Sequence, residues 1–291
     1  MDYNSKYSSY LERFNIAYKK AIDSLDKNSP GLILEAIKYA TCDGGKRVRP
    51  VLAFASAEML GVDCESVAEL AVAIELIHSY SLVHDDLPCM DNDDIRRGKL
   101  STHKKFGEAV GVLAGDALLN LAFEIVLNKS NFTSYDAEAL KLISNFAGYS
   151  GMIAGQVMDM LNEKNSQVGI DDLYYIYLNK TSKLLTVPFL VASVFKDKLY
   201  FEKLKTFGFN LGYMFQITDD LLDAEGSIEL IGKTPGKDEE AGKLTAIKLL
   251  GIDGAKAKAL EHYNVCKEVL SEIPNSEFLL KFVEKIYTRK K

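Results

Sequence analysis

The chain has 291 residues, 47% hydrophobic and 26% charged, which is the range of a soluble globular protein and long enough for one large domain or two ordinary ones. Its net charge of −6, with lysines spread rather than bunched, argues against a nucleic-acid partner. Cys42, Cys64, Cys89 and Cys266 stand far apart with no C-x-x-C pair, so neither a cysteine zinc site nor a disulfide framework is indicated. The N-terminal stretch has no apolar core of signal-peptide length, and no uninterrupted apolar run approaches the ~20 residues of a membrane span. A cytoplasmic protein without a membrane span is expected, and the glycosylation sequons at Asn128, Asn131 and Asn179 are read as chance.

Apolar residues from Tyr3 to Leu25 recur at three-to-four spacing and predict a first helix, stopped by Asn28-Ser29-Pro30-Gly31. A second runs from about Leu32 to Ala40. T-C-D-G-G-K-R-V-R-P then makes a glycine-hinged turn holding Lys46, Arg47 and Arg49, with Pro50 placed to open a helix that ends at Gly61. The next helix begins near Glu65, is almost wholly apolar from Val67 to Val83, and runs into an acidic stretch. Further helices are predicted at about Glu108–Leu127, Asp136–Leu161, from Asp171-Asp172 to about Phe195, and Lys198–Ala224. E-G-S-I-E-L-I-G-K-T-P-G-K-D-E-E-A-G-K-L-T reads as a glycine-rich loop, and three shorter helices close the chain. No stretch alternates with period two for long enough to make a strand, so one all-helical domain over 1–291 is expected.

The acidic stretch places Asp85, Asp86, Asp91, Asp93 and Asp94 within ten positions, followed by Arg96 and Arg97. A second cluster, Q-I-T-D-D-L-L-D, embeds Asp219, Asp220 and Asp223 among apolar residues. Several carboxylates near one another are tolerable only with cations to neutralise them, so the two clusters suggest a metal site shared by two helices. Each helical residue advances about 100°, which puts Gln216, Asp219 and Asp223 on one face. Asp85 and Asp91 are roughly 240° apart and cannot share a face on a regular helix. Pro88 resolves this: it supplies no amide hydrogen and clashes with the carbonyl of His84, so the helix should end or bulge at 87–90 and let Asp91 turn back beside Asp85.

Carboxylates without cysteine ligands suit Mg²⁺, which keeps several waters and completes its shell with phosphate oxygens. Lys46, Arg47, Arg49, Arg96, Arg97, Lys180, Lys233 and Lys243 are dispersed cations that arginine forks and lysine point charges can aim at phosphates. Together they imply two phosphorylated groups held side by side. Asp93 and Asp94 are read as solvated, His84 as orienting or packing beside the site, and Gln156 with Asp159 as either an internally bonded pair or pocket residues. The G-K-T at Gly232 lacks the glycine and strand of a P-loop. Glu75 and His78 form one E-x-x-H where a di-iron bundle needs two. An HD-type phosphohydrolase would want more than the histidines at 78, 84, 103 and 262.

D-D-L-P-C-M-D-N-D-D-I-R-R-G with Q-I-T-D-D-L-L-D resembles the two aspartate-rich motifs of the trans-prenyltransferases (polyprenyl synthetases), and G-G-K-R-V-R-P, N-K-T and G-K-T follow in the family order. The Pro88-Cys89 insertion is similar to the bacterial short-chain members, most closely the farnesyl diphosphate synthases. The resemblance implies an all-α antiparallel helical bundle around a central cavity, usually a homodimer. It implies condensation of isopentenyl diphosphate with dimethylallyl or geranyl diphosphate, and Mg²⁺, three ions per active site, with Mn²⁺ as an alternative. It makes Asp85, Asp91 and Asp219 metal ligands, supported by Asp86 and Asp223. Lys46, Arg49, His78 and Arg97 would hold isopentenyl diphosphate; Arg96, Lys180, Thr181, Gln216, Lys233 and Lys243 would face the allylic diphosphate; Arg289 would close over the basic site. Tyr80 and Ser81, one turn before Asp85, would floor the tail pocket, the bulky Tyr80 favouring farnesyl over geranyl or geranylgeranyl product. A terpene cyclase would carry a different second motif, and a non-catalytic partner subunit would lack some of the matched residues.

Overall fold

The computed structural model describes residues 2–42, 45–162, 168–225 and 244–289. Among them the structure is helical apart from one hairpin of two-residue strands and the connecting turns. The chain packs as two compact units, Met1–Leu140 and Lys141–Lys291.

In the first unit, α1 (Tyr3–Asp23) starts where the Asp2 carboxylate accepts the amides of Asn4 and Ser5, satisfying donors that the first helical turn leaves unpaired. Its face of Tyr10, Phe14, Ala21 and Ile22 is buried. Helix α2 (Gly31–Cys42) leads to the glycine hinge, and α3 (Val48–Leu60) ends at Gly61, whose φ of 68° is the left-handed stop that glycine provides. A short 3-10 turn, Cys64–Val67, enters α4 (Ala68–Asp85). Helix α4 is covered on nearly all sides by α1, α3 and α6, which is why its sequence shows no polar face. Burying side chains such as Leu70, Ile74 and Ile77 contributes roughly 1.5–3 kcal/mol each, so α4 is the post around which this unit is built.

After α4 come β1 (Ile95–Arg96) and β2 (Lys99–Leu100), an antiparallel pair the sequence pattern does not reveal because each strand is two residues long. Arg97 (φ 54°) and Gly98 (φ 77°) form its left-handed two-residue turn. Helices α5 (Thr102–Phe106) and α6 (Glu108–Leu127) follow. Two stretches, Cys64–Asp85 and Glu108–Leu127, reach the length and hydropathy of a membrane span, a test that core helices of a folded domain also pass; 72% of the first is buried within the protein and 39% of the second.

The predicted helix over 136–161 is two helices, α7 (Ser134–Ala147) and α8 (Met152–Asn162), broken at G-Y-S-G. A side chain at Gly151 would meet the Phe146 carbonyl at 2.1 Å, so this turn is too tight for anything but glycine. The predicted helix over 171–195 is also subdivided. It runs as α9 (Ile170–Ile176), a π turn (Tyr177–Ser182) and α10 (Lys183–Val194), with Asp172 accepting the Gly169 amide at its start. Asp197, Lys198 and Tyr200 adopt left-handed conformations, which delays α11 to Phe201–Glu225. Helix α12 (Ala246–Ser271), broken at Gly251, and α13 (Glu277–Tyr287) give the three closing segments expected. Helix α11 packs against α10, α12, α13 and the π turn, so in this unit it is the central element.

Candidate active site

In the first unit, α4 ends at Asp85 and the chain turns on itself. The Leu87 amide reaches the His84 carbonyl, Met90 and Asn92 bond the Leu87 carbonyl, and the Asp91 amide donates to the Asp85 carbonyl at 2.9 Å. Proline thus unwinds the helix as its chemistry predicts, and Asp91 returns beside Asp85. Asp85 is partly exposed and Asp91 exposed, whereas Asp86 is buried at 2% exposure. The Arg96 Nε donates to Asp86 Oδ1 at 2.9 Å, and its Nη2 reaches both Asp86 and Asp93. Burial pushes the Asp86 carboxyl above the usual carboxylate range while Arg96 opposes it. Asp94 is exposed, as expected, with Lys104 at 2.9 Å, and Asp93 is partly exposed, with Arg96 at 3.3 Å.

The arginines near the hinge divide by role. Arg47 was expected among the phosphate-facing cations; instead its guanidinium is buried, donating to Glu75 at 2.8 Å and to the Thr41 carbonyl. Glu75, half of the E-x-x-H, is therefore spent as the partner of Arg47. Arg49 has a buried Nε with no hydrogen-bond partner among the described residues. Burial and the nearby Arg97 push Arg49 down to about 10. The Arg97 guanidinium lies against the backbone of Gly45, where an added Cβ would sit 2.9 Å from its central carbon. Burial, then the charges of Arg49 and Arg97, hold His78 well below its ordinary value, so it is neutral at pH 7. Lys46 is exposed, and its carbonyl accepts the Tyr7 hydroxyl. An orphaned arginine donor beside further cations and a neutral imidazole is arranged to receive an anion.

One turn before Asp85, Tyr80 is buried and stands edge-on to the His84 ring at 5.9 Å. Burial and then Asp85 push its hydroxyl up to about 12. His84 Nε2 bonds the Val112 carbonyl at 3.0 Å, and its ring fills a niche at Gly115, where a Cβ would come within 2.0 Å of Nε2. His84 therefore packs and braces, as expected. Ser81 donates to the His78 carbonyl at 2.9 Å.

In the second unit, α11 places Gln216, Asp219 and Asp223 partly exposed along it. Arg289, expected over the basic site, here binds the Asp219 carboxylate and the Phe215 carbonyl, the latter at 2.8 Å, with its guanidinium 4.4 Å over the Phe215 ring. Asp220 faces the interior: it accepts the Tyr177 hydroxyl and, at 2.6 Å, the Ala246 amide. Lys180, on the π turn, bonds Asp159 at 2.5 Å, so Asp159 pairs with a candidate site lysine on another element and not within its own helix. Thr181 is partly exposed beside it. Lys233 and Lys243 lie outside the described residues. Sequence reasoning missed Tyr177, the first residue of a π turn invisible to a 3.6-residue period, and the structural use of Asp220.

Among the described residues, no three His, Cys, Asp or Glu side chains lie together as a metal cage. Asp85 and Asp91 are hard oxygen donors on one turn, with the nearby histidine engaged elsewhere. That donor set fits Mg²⁺, which takes one or two carboxylates and leaves the remaining positions to water and phosphate.

The chain belongs to the polyprenyl synthetase family, which matches residues 30–277. It is 41% identical over 285 residues to a farnesyl diphosphate synthase of Haemophilus influenzae, covering 96% of this chain and 95% of that one. It is also 41% identical over 259 residues to geranylgeranyl pyrophosphate synthase 4 of Arabidopsis thaliana, covering 88% of this chain and 69% of that one. Its fold superposes with a TM-score of 0.82 and 30% identity on the Helicobacter pylori geranyltransferase crystallised with magnesium and isoprenyl diphosphate, covering 98% and 97% of the two chains.

Proposed function

We propose that this protein is a prenyltransferase that condenses isopentenyl diphosphate with dimethylallyl or geranyl diphosphate, giving farnesyl diphosphate and pyrophosphate. The observation that carries the reading is the folded-back aspartate turn of the first unit, where Asp91 returns to Asp85 and Arg96 holds Asp86; the buried Arg49 Nε, without a partner among the described residues, supports it. The family match crosses the boundary between the two units. This supports treating residues 1–291 as one functional domain.

In this reading Lys46, Arg49, His78 and Arg97 bind isopentenyl diphosphate. Arg96, Lys180, Thr181, Gln216, Lys233 and Lys243 serve the allylic diphosphate, and Asp85, Asp91 and Asp219 are the carboxylates that hold Mg²⁺. Asp86 and Asp223 support them. When bound, Mg²⁺ supplies Lewis-acid stabilisation of the departing diphosphate; three ions per site are proposed, with Mn²⁺ as the ion to compare. The allylic carbon–oxygen bond breaks with its electron pair on the leaving group, and fixed cations such as Lys180 stabilise that charge without reorganising. The isopentenyl double bond then bonds the allylic carbon, and a proton leaves to pyrophosphate. Apolar surroundings keep water from capturing the cation.

The buried Tyr80, braced by His84, supports a short product. Tyr80→Ala is expected to lengthen it, and an unchanged product profile by chromatography removes this account of the pocket floor. Exposed Val112 and Leu113 on α6 support a homodimer, and a cytoplasmic location belongs to the same reading. The test is direct: the purified protein with Mg²⁺ and both diphosphates should release pyrophosphate and form farnesyl diphosphate. Absence of both with all three reactants present overturns the proposal.

A further inference from the structure

The π turn that carries Lys180 and Thr181 is held from three directions within the second unit. On one side α8 approaches so closely that a Cβ at Gly155 would lie 2.2 Å from the Lys180 amide nitrogen. On another, α11 approaches so closely that a Cβ at Gly212 would lie 2.2 Å from the Ser182 hydroxyl. The third hold is polar. Tyr177, the first residue of the turn, donates its hydroxyl to Asp220 on α11, and the Ala246 amide donates to the same carboxylate oxygen at 2.6 Å and to the Tyr177 oxygen at 3.1 Å.

These polar groups sit in a cluster otherwise made of Leu173, Ile176, Ile217, Leu221, Leu244 and alanines. Tyr177 and Asp220 are 4% and 8% exposed. Ala246 opens α12, so its amide is one of the donors that a helix start leaves unpaired, and a carboxylate there is favoured by the helix dipole. Burying a carboxylate is costly, and an apolar pair of the same shape would hold two helices together at least as well. What hydrogen bonds add is direction. A π turn carries one residue more than the regular helix, and relaxation to the regular form would rotate the following side chains by about 100°.

We propose that Tyr177 and Asp220 are positioning residues: their bond keeps the π turn in register, and so sets Lys180 and Thr181 against Gln216, Asp219 and Asp223 of α11. This rests on the prenyl-transfer reading, in which both groups serve the allylic diphosphate. The middle carboxylate of D-D-L-L-D is then no ligand but the anchor of the two beside it.

The test is the partition of the allylic cation. In condensation the isopentenyl double bond supplies the electron pair to the allylic carbon and a proton is lost. In abortive hydrolysis water adds to that carbon and loses a proton, giving an allylic alcohol. The ratio of alcohol to elongated product is independent of how much enzyme is folded, so a purely structural role leaves it unchanged. Tyr177→Phe is expected to keep the helical circular dichroism, lower kcat about tenfold, raise the alcohol fraction several-fold, and leave KM for isopentenyl diphosphate within about twofold. Asp220→Asn, which keeps the shape but weakens the charge-assisted bonds, should move the same ratio less; it carries the test alone if Tyr177→Phe does not fold. Wild-type ratios and kcat in the folded variants overturn the lock. A wild-type protein making neither alcohol nor elongated product overturns the prenyl-transfer reading and the lock with it, a different result from wild-type turnover with unchanged variants.

Discussion

The two aspartate motifs divide their labour in the same way on different backbones. In the first, proline unwinds the chain and a backbone bond brings Asp91 back to Asp85; in the second, an unbroken helix presents Asp219 and Asp223 four residues apart. Yet in each adjacent pair the first carboxylate is partly exposed and the second is buried, Asp86 at 2% and Asp220 at 8%. Asp86 is tied to Arg96, while Asp220 is tied to Tyr177 and the start of α12. Each doubled aspartate thus leaves one carboxylate partly exposed and turns the other into the fold. Such a pair is a way to aim a charge that would otherwise swing freely.

The sharpest break in that comparison comes from the outward members. Asp85→Ala and Asp219→Ala should each lower turnover about 10²–10³-fold with helical content intact, measured by pyrophosphate release and circular dichroism. Wild-type-like rates in both would end the proposed metal role. The inward members should show the opposite pattern in stability. Asp86→Ala leaves Arg96 without its main partner and should cost about 2–3 kcal/mol in urea unfolding, whereas Asp85→Ala should cost less than about 1 kcal/mol.

Acid should load the second unit through a group outside either motif. His262 is 7% exposed and bonds Asn210 Oδ1 at 2.8 Å and the Tyr174 hydroxyl at 3.0 Å, with the Tyr213 ring, Lys258 and Glu261 nearby. Burial pushes it down to about 4 from 6.5, against the opposing influence of Glu261. The unfolded chain therefore takes up this proton first, and stability falls as pH drops from about 6.5 to about 4, by about 3 kcal/mol in all. His262→Gln should remove that part of the slope; an unaltered pH profile of urea unfolding would show that the imidazole is not held neutral. The smallest effect is expected at Arg289, which neutralises Asp219. Arg289→Gln should tighten Mg²⁺ binding by titration calorimetry about fivefold, the equivalent of about 1 kcal/mol for a partly exposed pair, and weaker binding would show that this arginine assists the ion rather than competing with it.

Much of the fold was legible because helical period is a local property. The boundaries of α1 and α6, the stop at Gly61 and the proline break after Asp85 all follow from spacing and backbone chemistry over a few residues. The failures were equally physical. G-Y-S-G divides a continuous apolar pattern, because its glycines are needed for close approach of backbone to backbone rather than for any visible change in hydrophobicity. Arg47 and Arg49 are two residues apart with the same charge, but only the packing around Glu75 and Thr41 shows that one is buried and paired while the other keeps an orphaned donor.

By itself the amino-acid order determined the helical class, the family and the candidate residues for the proposed diphosphate site, since those rest on periodicity, breakers and motif spacing. Tertiary structure alone decided which carboxylate of each pair turns inward, where a π turn replaces regular helix, and that Arg289 meets Asp219. Those outcomes depend on contacts between segments up to about 70 residues apart, as with Arg289 and Asp219, and burial assigns a different cost to chemically identical side chains according to what surrounds them.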